Sequence, residues 1–260
     1  MYKKITFYLF LVLFFVSCGK YEKLLKSSDY GLKYKKAFEY YDNGEYVRAA
    51  TLFEQIAAIY RGTVKADTVQ FYRAKSYLYQ KDYIMAGNYF HELASTFPNS
   101  SFTEESYFLE GFCEYKQSPR PSLDQANTYN AISKLSLFLI KYPYSDRVEE
   151  AKAIIKEMEE KLVEKSFLSA KLYYDLGAYM SAVIALRNSL NDFPETKYRE
   201  ELLFMILKSQ FMIAENSVEE KKLDRYQATV DEYYSFIGEF PDGKNTDEAN
   251  KIYETSVKFL

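Results

Sequence analysis

Tryptophan is absent from this 260-residue chain, histidine occurs once, at His91, and cysteine occurs twice, at Cys18 and Cys113. A single histidine excludes a histidine-based metal cluster and leaves no imidazole base for a catalytic triad elsewhere. With Cys113 the one cysteine in the body of the chain, no disulfide framework exists, and the fold must be held by its core alone. Cys113 lies between Phe112 and Glu114 in a helical stretch, where a small buried apolar side chain is expected rather than a reactive thiol. The nine glycines are scattered, and none belongs to a phosphate-cradling loop. Basic residues do not exceed acidic ones, 34 against 37, so the chain lacks the basic surface that phosphate backbones require, and nucleic acid is excluded as a partner. No catalytic, metal-binding or cofactor-binding constellation emerges, and the reading is of a protein that is not an enzyme and needs no cofactor.

Long apolar runs are missing too, except at the start. Lys3 and Lys4 precede an apolar stretch over residues 5–16, then Ser17, Cys18 and Gly19. A dozen apolar residues fall short of the ~20 that cross a bilayer as a helix, so the segment reads as a secretory signal peptide. Its end resembles the bacterial lipobox, with Phe15 where Leu is usual. The expectation is therefore cleavage of residues 1–17, lipidation of Cys18, and a tether over residues 18–30. Two or three acyl chains hold a protein to a membrane stably, whereas one does not. Cleavage removes Lys3 and Lys4, leaving 32 basic against 37 acidic residues and a net charge of −5.

What the chain has in abundance is aromatic side chains, 27 Tyr and 20 Phe, within an apolar content of 48%. They are organised. An aromatic residue followed by Pro, with a small or hydroxyl residue two positions later, recurs as Phe97-Pro98-Asn99-Ser100, Tyr142-Pro143-Tyr144-Ser145, Phe193-Pro194-Glu195-Thr196 and Phe240-Pro241-Asp242-Gly243. Tyr60 begins a fifth copy without the Pro. Fourteen residues before each anchor stand Tyr46, Tyr83, Thr128, Tyr179 and Tyr226. Offsets of three, seven and ten from these bring Ala49, Phe53 and Ile56, then Ala86, Phe90 and Leu93, then Ala131, Leu135 and Phe138, then Ala182, Leu186 and Ser189, and finally Thr229, Tyr233 and Phe236. Such offsets trace one face of an α-helix. The Pro stops that helix by restricting the residue before it and removing an amide donor.

An acidic pair follows each Pro motif, as Glu104-Glu105, Glu149-Glu150, Glu200-Glu201 and Asp247-Glu248. These pairs are placed in the first turn of the next helix, where negative charge complements the macrodipole, rather than in an acid-base site. Ser101 with Glu104 also fits a capping box. Upstream, Ala37, Ala74 and Ala170 mark first helices, flanked by Tyr34, Phe71 and Phe167 on one side and Tyr40, Tyr77 and Tyr173 on the other. Gly44 and Gly177 mark tight turns between paired helices. Helix, turn and helix repeating in this way is the tetratricopeptide (TPR) pattern. The expected fold is all-α, a right-handed superhelical solenoid of about five TPR units over residues 31–260, approximately 31–62, 65–100, 101–146, 147–196 and 197–260. Anchor spacings of 37, 45, 51 and 47 residues exceed the usual ~34. The extra length sits in longer helices and in a loop over residues 117–122 carrying Pro119 and Pro121.

The lipobox, the repeat number and the third repeat together resemble the BamD (ComL) family of outer-membrane assembly lipoproteins. That repeat carries Pro119, Arg120, Asp124-Gln125, Ala131-Ile132, Phe138-Leu139, Tyr142-Pro143, Ser145 and Glu150-Ala151 in the family's order. The resemblance implies a non-enzymatic subunit of the β-barrel assembly (BAM) machinery, lipid-anchored at Cys18 on the periplasmic side of the outer membrane. Gly19, rather than Asp, after the cysteine agrees with the outer membrane. Implied partners are a BamA-like barrel subunit, docked by the C-terminal repeats, and unfolded outer-membrane proteins. By the same analogy Tyr34, Tyr40, Tyr41, Tyr72 and Tyr77 offer the substrate groove. Two other readings stay open: a TPR adaptor in envelope division or peptidoglycan processes, and a surface glycan-binding lipoprotein of the SusD kind, against which the absence of Trp counts.

Overall fold

The computed structural model describes residues 19–260, and the leader and Cys18 lie outside the described residues. All regular structure among them is helical. The chain forms two compact units, one comprising the described residues through Ser118 with Ala126–Lys156, the other Pro119–Gln125 with Glu157–Leu260. The first contains α1 (Tyr30–Asp42), α2 (Tyr46–Tyr60), α3 (Ala66–Tyr79), α4 (Tyr83–Thr96), α5 (Thr103–Gln117) and α6 (Ala126–Lys141), each packed on the helix before it. A long α7 (Val148–Asp175) begins in the first unit and ends in the second. The second unit holds α8 (Tyr179–Asp192), α9 (Arg199–Glu215), α10 (Glu219–Glu239), α11 (Thr246–Ser256) and a 3-10 turn at Val257–Phe259.

These helices form where the repeat register puts them, and they bury the face it marks. Ala49, Phe53 and Ile56 of α2, Ala86, Phe90 and Leu93 of α4, and Ala131, Leu135 and Phe138 of α6 are wholly enclosed. So are Ala182 and Leu186 of α8 and Thr229 and Phe236 of α10. Enclosing one Phe or Leu of this kind is worth about 1.5–3 kcal/mol against leaving it in water. Ala37 and Ala74, on the first helices, are equally enclosed and let neighbouring backbones come close.

Each Pro motif builds the same turn. The amides of Phe97, Tyr142, Phe193 and Phe240 close the preceding helix onto the carbonyls of Leu93, Phe138, Ser189 and Phe236 at 2.8–3.0 Å. Phe97, Phe193 and Phe240 then leave the helix at nearly identical φ and ψ, about −130° and +65° as the following Pro demands. The carbonyls of Phe97, Tyr142 and Phe193 accept the amides of Ser100, Ser145 and Thr196. The hydroxyls of those residues accept the amides of Phe102, Arg147 and Tyr198, each at 3.2 Å. A hydroxyl at this place therefore holds the chain as it enters the next helix. The capping box expected at Ser101 and Glu104 does not form, because α5 starts at Thr103 with Phe102 as its non-bonding cap. Ser100 performs the equivalent task one residue earlier. All four acidic pairs stand in first turns.

Within hairpins, the turns close by paired reverse bonds, from Glu45 to Tyr40 and Gly44 to Tyr41, and from Ala178 to Tyr173 and Gly177 to Tyr174. This geometry needs a left-handed residue after the helix cap. Gly44 and Gly177 supply it at φ +77° and +71°, and Lys81 adopts it at φ +63° in the second hairpin. We expect Gly177→Ala to cost about 1–2 kcal/mol. Lys81→Gly should shift the midpoint in a urea titration the opposite way.

The segment read as a tether is helical over residues 19–26. Its apolar spacing explains this: Leu24 is buried with Leu52 and Phe53 of α2, and Tyr21 and Leu25 pack alongside. At the other end, Phe259 stacks flat on Tyr226 at 4.2 Å. The loop carrying Pro119 and Pro121 is held by Gln125, whose side-chain amide donates to the carbonyls of Arg120 and Leu123 at 3.0 Å.

Candidate partner-binding surfaces

The helical period places Tyr34, Phe38 and Tyr41 along one face of α1, and Tyr72 and Tyr79 along one face of α3. The two faces meet. Ring centroids run from Tyr34 to Phe38 at 4.9 Å, Phe38 to Tyr72 at 4.8 Å and Tyr72 to Tyr41 at 4.9 Å. Tyr41 reaches Tyr46 at 5.6 Å, and Tyr46 stacks on Tyr79 at 4.7 Å. Tyr60 joins beside Tyr34 at 5.2 Å, with the Lys65 ammonium 4.5 Å from the Tyr34 ring centre. Burial pushes the Tyr34 and Tyr41 hydroxyls above the ordinary phenol value, and neighbouring Tyr79 adds to the effect at Tyr41. They stay protonated at neutral pH and serve as hydrogen-bond donors on an apolar ribbon.

Tyr34, Tyr41 and Tyr72 thus share one surface, while Tyr40 and Tyr77 have other neighbours. Tyr40 meets Tyr21 edge-on at 5.5 Å, and both rings lie under the Arg48 guanidinium. Tyr77 donates its hydroxyl to Glu54 of α2 and packs on Tyr89 of α4 at 5.4 Å. Its pKa is raised by burial first and then by that carboxylate. Tyr46, marked in the sequence as a repeat position, and Tyr79 extend the groove set beyond the residues the resemblance implies; Tyr79 follows Tyr72 by seven residues, the same spacing that links Tyr34 to Tyr41.

Beyond Tyr79 the first unit continues into an open pocket of about 200 Å³ between α3, α5 and the start of α7. Phe108 and Phe112 form its apolar floor, and Lys75, Glu105, Arg147 and Glu150 its charged rim. Lys75 pairs with Glu105 at 3.6 Å and Arg147 with Glu150 at 2.7 Å. Aromatic floor and mixed-charge rim suit an extended peptide with both apolar and polar side chains.

Cys113 and His91 behave as packing and surface groups. Cys113 is fully buried and its thiol is pushed up to about 12 by burial, so the nucleophilic thiolate is not populated at neutral pH. His91 Nδ1 lies 3.1 Å from the buried Glu110 carboxylate, which also pairs with Lys134 at 3.1 Å. Burial alone would lower the Lys134 pKa, but its bond to Glu114 and the Glu110 charge raise it above the usual lysine value.

In the second unit, Leu168 and Leu172 at the end of α7 and Leu176 in the turn after it recur every four residues, all exposed, and Met180 and Ile184 do the same on α8. Its last hairpin carries an aromatic cluster. Tyr233 of α10 stacks on Tyr253 of α11 at 4.4 Å, and the hydroxyls of Tyr234 and Tyr253 lie 3.0 Å apart, with Tyr234 more than half exposed. Apolar rows and exposed tyrosines of this kind mark surfaces that bind other proteins.

Paired helices joined by tight turns, with enclosed small residues at the helix contacts and aromatic surfaces left open, define a TPR protein. Residues 29–225 match the family described as "YfiO: Outer membrane lipoprotein", and the chain belongs to that family. It is 27% identical over 229 residues to the "Putative outer membrane protein assembly factor BamD" of Aquifex aeolicus, covering 87% of this chain and 73% of that protein. It is 21% identical over 122 residues to the "Outer membrane protein assembly factor BamD" of Caulobacter vibrioides, covering 47% of this chain and 40% of that protein. Among solved structures, the TPR2AB-domain:pHSP90-complex of yeast Sti1 is similar at a TM-score of 0.40 and 13% identity, with 88% of this chain and 99% of that chain covered.

Proposed function

We propose that this chain is a non-enzymatic scaffold subunit of the machinery that assembles β-barrel proteins into the outer membrane. The observation that carries the reading is family membership over residues 29–225, joined to two relatives named as assembly factors. In this reading the C-terminal repeats, residues 198–260, hold a BamA-like barrel subunit, with Tyr234 and Tyr253 as anchors. The ribbon of Tyr34, Tyr41 and Tyr72 receives segments of unfolded barrel proteins, whose alternating apolar and polar side chains match an aromatic ribbon rimmed by Lys65 and Lys75. Tyr40 and Tyr77 border it from other sides of the same repeats. Lipid at Cys18 anchors the chain to the outer membrane, facing the periplasm.

Depleting the protein tests the role: barrel-protein levels in the outer membrane should fall broadly, and unchanged levels would defeat it. Lipidation is tested separately by mass analysis of the mature N-terminus. Cys18 should be the first residue and carry acyl chains; an uncleaved or unmodified terminus removes the anchor from the reading.

A further inference from the structure

Charge is distributed unevenly along this acidic chain. Residues 19–36 hold six lysines against Glu22 and Asp29, whereas the remainder of the mature chain carries 26 basic and 35 acidic residues. One of the six, Lys33, is turned inward, its ammonium bonded to the Leu25 carbonyl at 2.9 Å and to Gln55 at 2.8 Å. Lys20, Lys23 and Lys26 are exposed on the helical residues 19–26, and Lys35 is exposed on α1. Lys20, Lys23 and Lys36 border a cavity of about 340 Å³ whose other walls are Leu24, Ser27, Leu32 and Tyr40. Glu39 bonds Lys36 at 2.7 Å, so Lys20 and Lys23 supply most of the positive field there. Leu32 is about two-fifths exposed at the rim, an apolar group next to three cations.

We propose that this N-terminal collar is a membrane-docking surface that seats anionic phospholipid headgroups, phosphates on the lysines and the upper acyl region against Leu32 and Tyr40. Its place in the chain identifies the occupant. With lipid on Cys18, as the proposed function has it, Lys20 and Lys23 stand two and five residues from the acyl chains, within ~20 Å even if the backbone were fully extended. Basic residues beside a lipid anchor are the second signal that fixes an anchored protein to an anionic surface, each contributing about a fivefold gain in partition. Docking there would hold the first unit's N-terminal end against the bilayer instead of leaving it to swing on its acyl chains.

The test uses the mature chain with Cys18→Ser, which carries no acyl chain and therefore reads the collar independently of lipidation. Partition onto vesicles of phosphatidylcholine alone is compared with vesicles containing about one-third phosphatidylglycerol. The chain should prefer the anionic vesicles and be released by salt. Lys20→Gln, Lys23→Gln and Lys36→Gln together should weaken that partition on the order of a hundredfold. Lys221→Gln, Lys222→Gln and Lys251→Gln, placed in the second unit, should leave it unchanged. Equal partition onto both vesicles, or an unaltered triple collar variant, overturns the proposal. So does release by inorganic phosphate at an ionic strength where chloride has no effect, which would assign the pocket to a free anion. An unmodified Cys18 with the vesicle preference intact would defeat the acyl anchor and leave the collar standing.

Discussion

With the last hairpin docking a barrel-forming subunit as proposed, replacing Tyr234 and Tyr253 by alanine should weaken binding to that subunit's periplasmic domains by thirtyfold or more. Interface tyrosines that act as anchors cost ~2 kcal/mol or more when truncated, and 1.4 kcal/mol is tenfold in affinity. Tyr234 is more than half exposed and Tyr253 stacks on Tyr233 at the surface, so the pair projects aromatic area without forming the core. Tyr234→Ala alone should leave the thermal midpoint nearly unchanged, which separates lost contact from lost folding. A titration of the purified variant against those domains measures the effect. Full affinity in the double variant would move the docking site off the last hairpin. Truncation before Tyr198 is a poorer test, because Leu202, Met205 and Ile206 of α9 share a buried cluster with Phe167, Ala182 and Leu186. The cut would expose that cluster along with removing the hairpin.

The second large effect is expected at Gly111. A Cβ built there would lie 2.8 Å from the Leu135 side chain and 3.2 Å from the Leu135 amide nitrogen, so α5 and α6 approach as closely as backbone allows. Gly111→Val should cost about 3 kcal/mol, since overpacking is resisted by backbone and Val adds little helix propensity. For a protein of this size that lowers the thermal midpoint by about 6–12 °C. Gly87→Ala makes the contrast. Its new Cβ would meet the Cys113 Cβ at 3.3 Å, a contact that a small shift relieves. The ~1 kcal/mol gained in helix propensity should offset that cost and leave the midpoint within a few degrees. Equal melting of Gly111→Val and the parent would mean that α5 and α6 are not packed through this glycine.

Whatever depends on partners within a few residues is legible along the chain. Helix stops at Phe97, Tyr142, Phe193 and Phe240 were legible because the Pro restricts the residue just before it. The enclosed faces were legible because a period of 3.6 residues is written in Ala, Phe and Leu, and the left-handed turns at Gly44 and Gly177 because glycine adopts them at little cost. Lys81 takes the same conformation without any such mark, held there by the same reverse bonds that close the other two turns.

Side chains with a choice of partner find their places when the helices pack. Tyrosine is apolar on its ring and polar at its tip, so periodicity does not say whether it joins a ribbon or a carboxylate. Tyr34, Tyr41 and Tyr72 meet because α1 and α3 pack through Phe38, and Tyr77 leaves that surface because Glu54, 23 residues away, accepts its hydroxyl. Residues 19–26 are helical because Leu24 finds Leu52 and Phe53. At Gly111 a side chain would meet Leu135 of the next helix. Each of these outcomes is set by a neighbour more than twenty positions along the chain, and a contact at that distance exists only once the helices have packed.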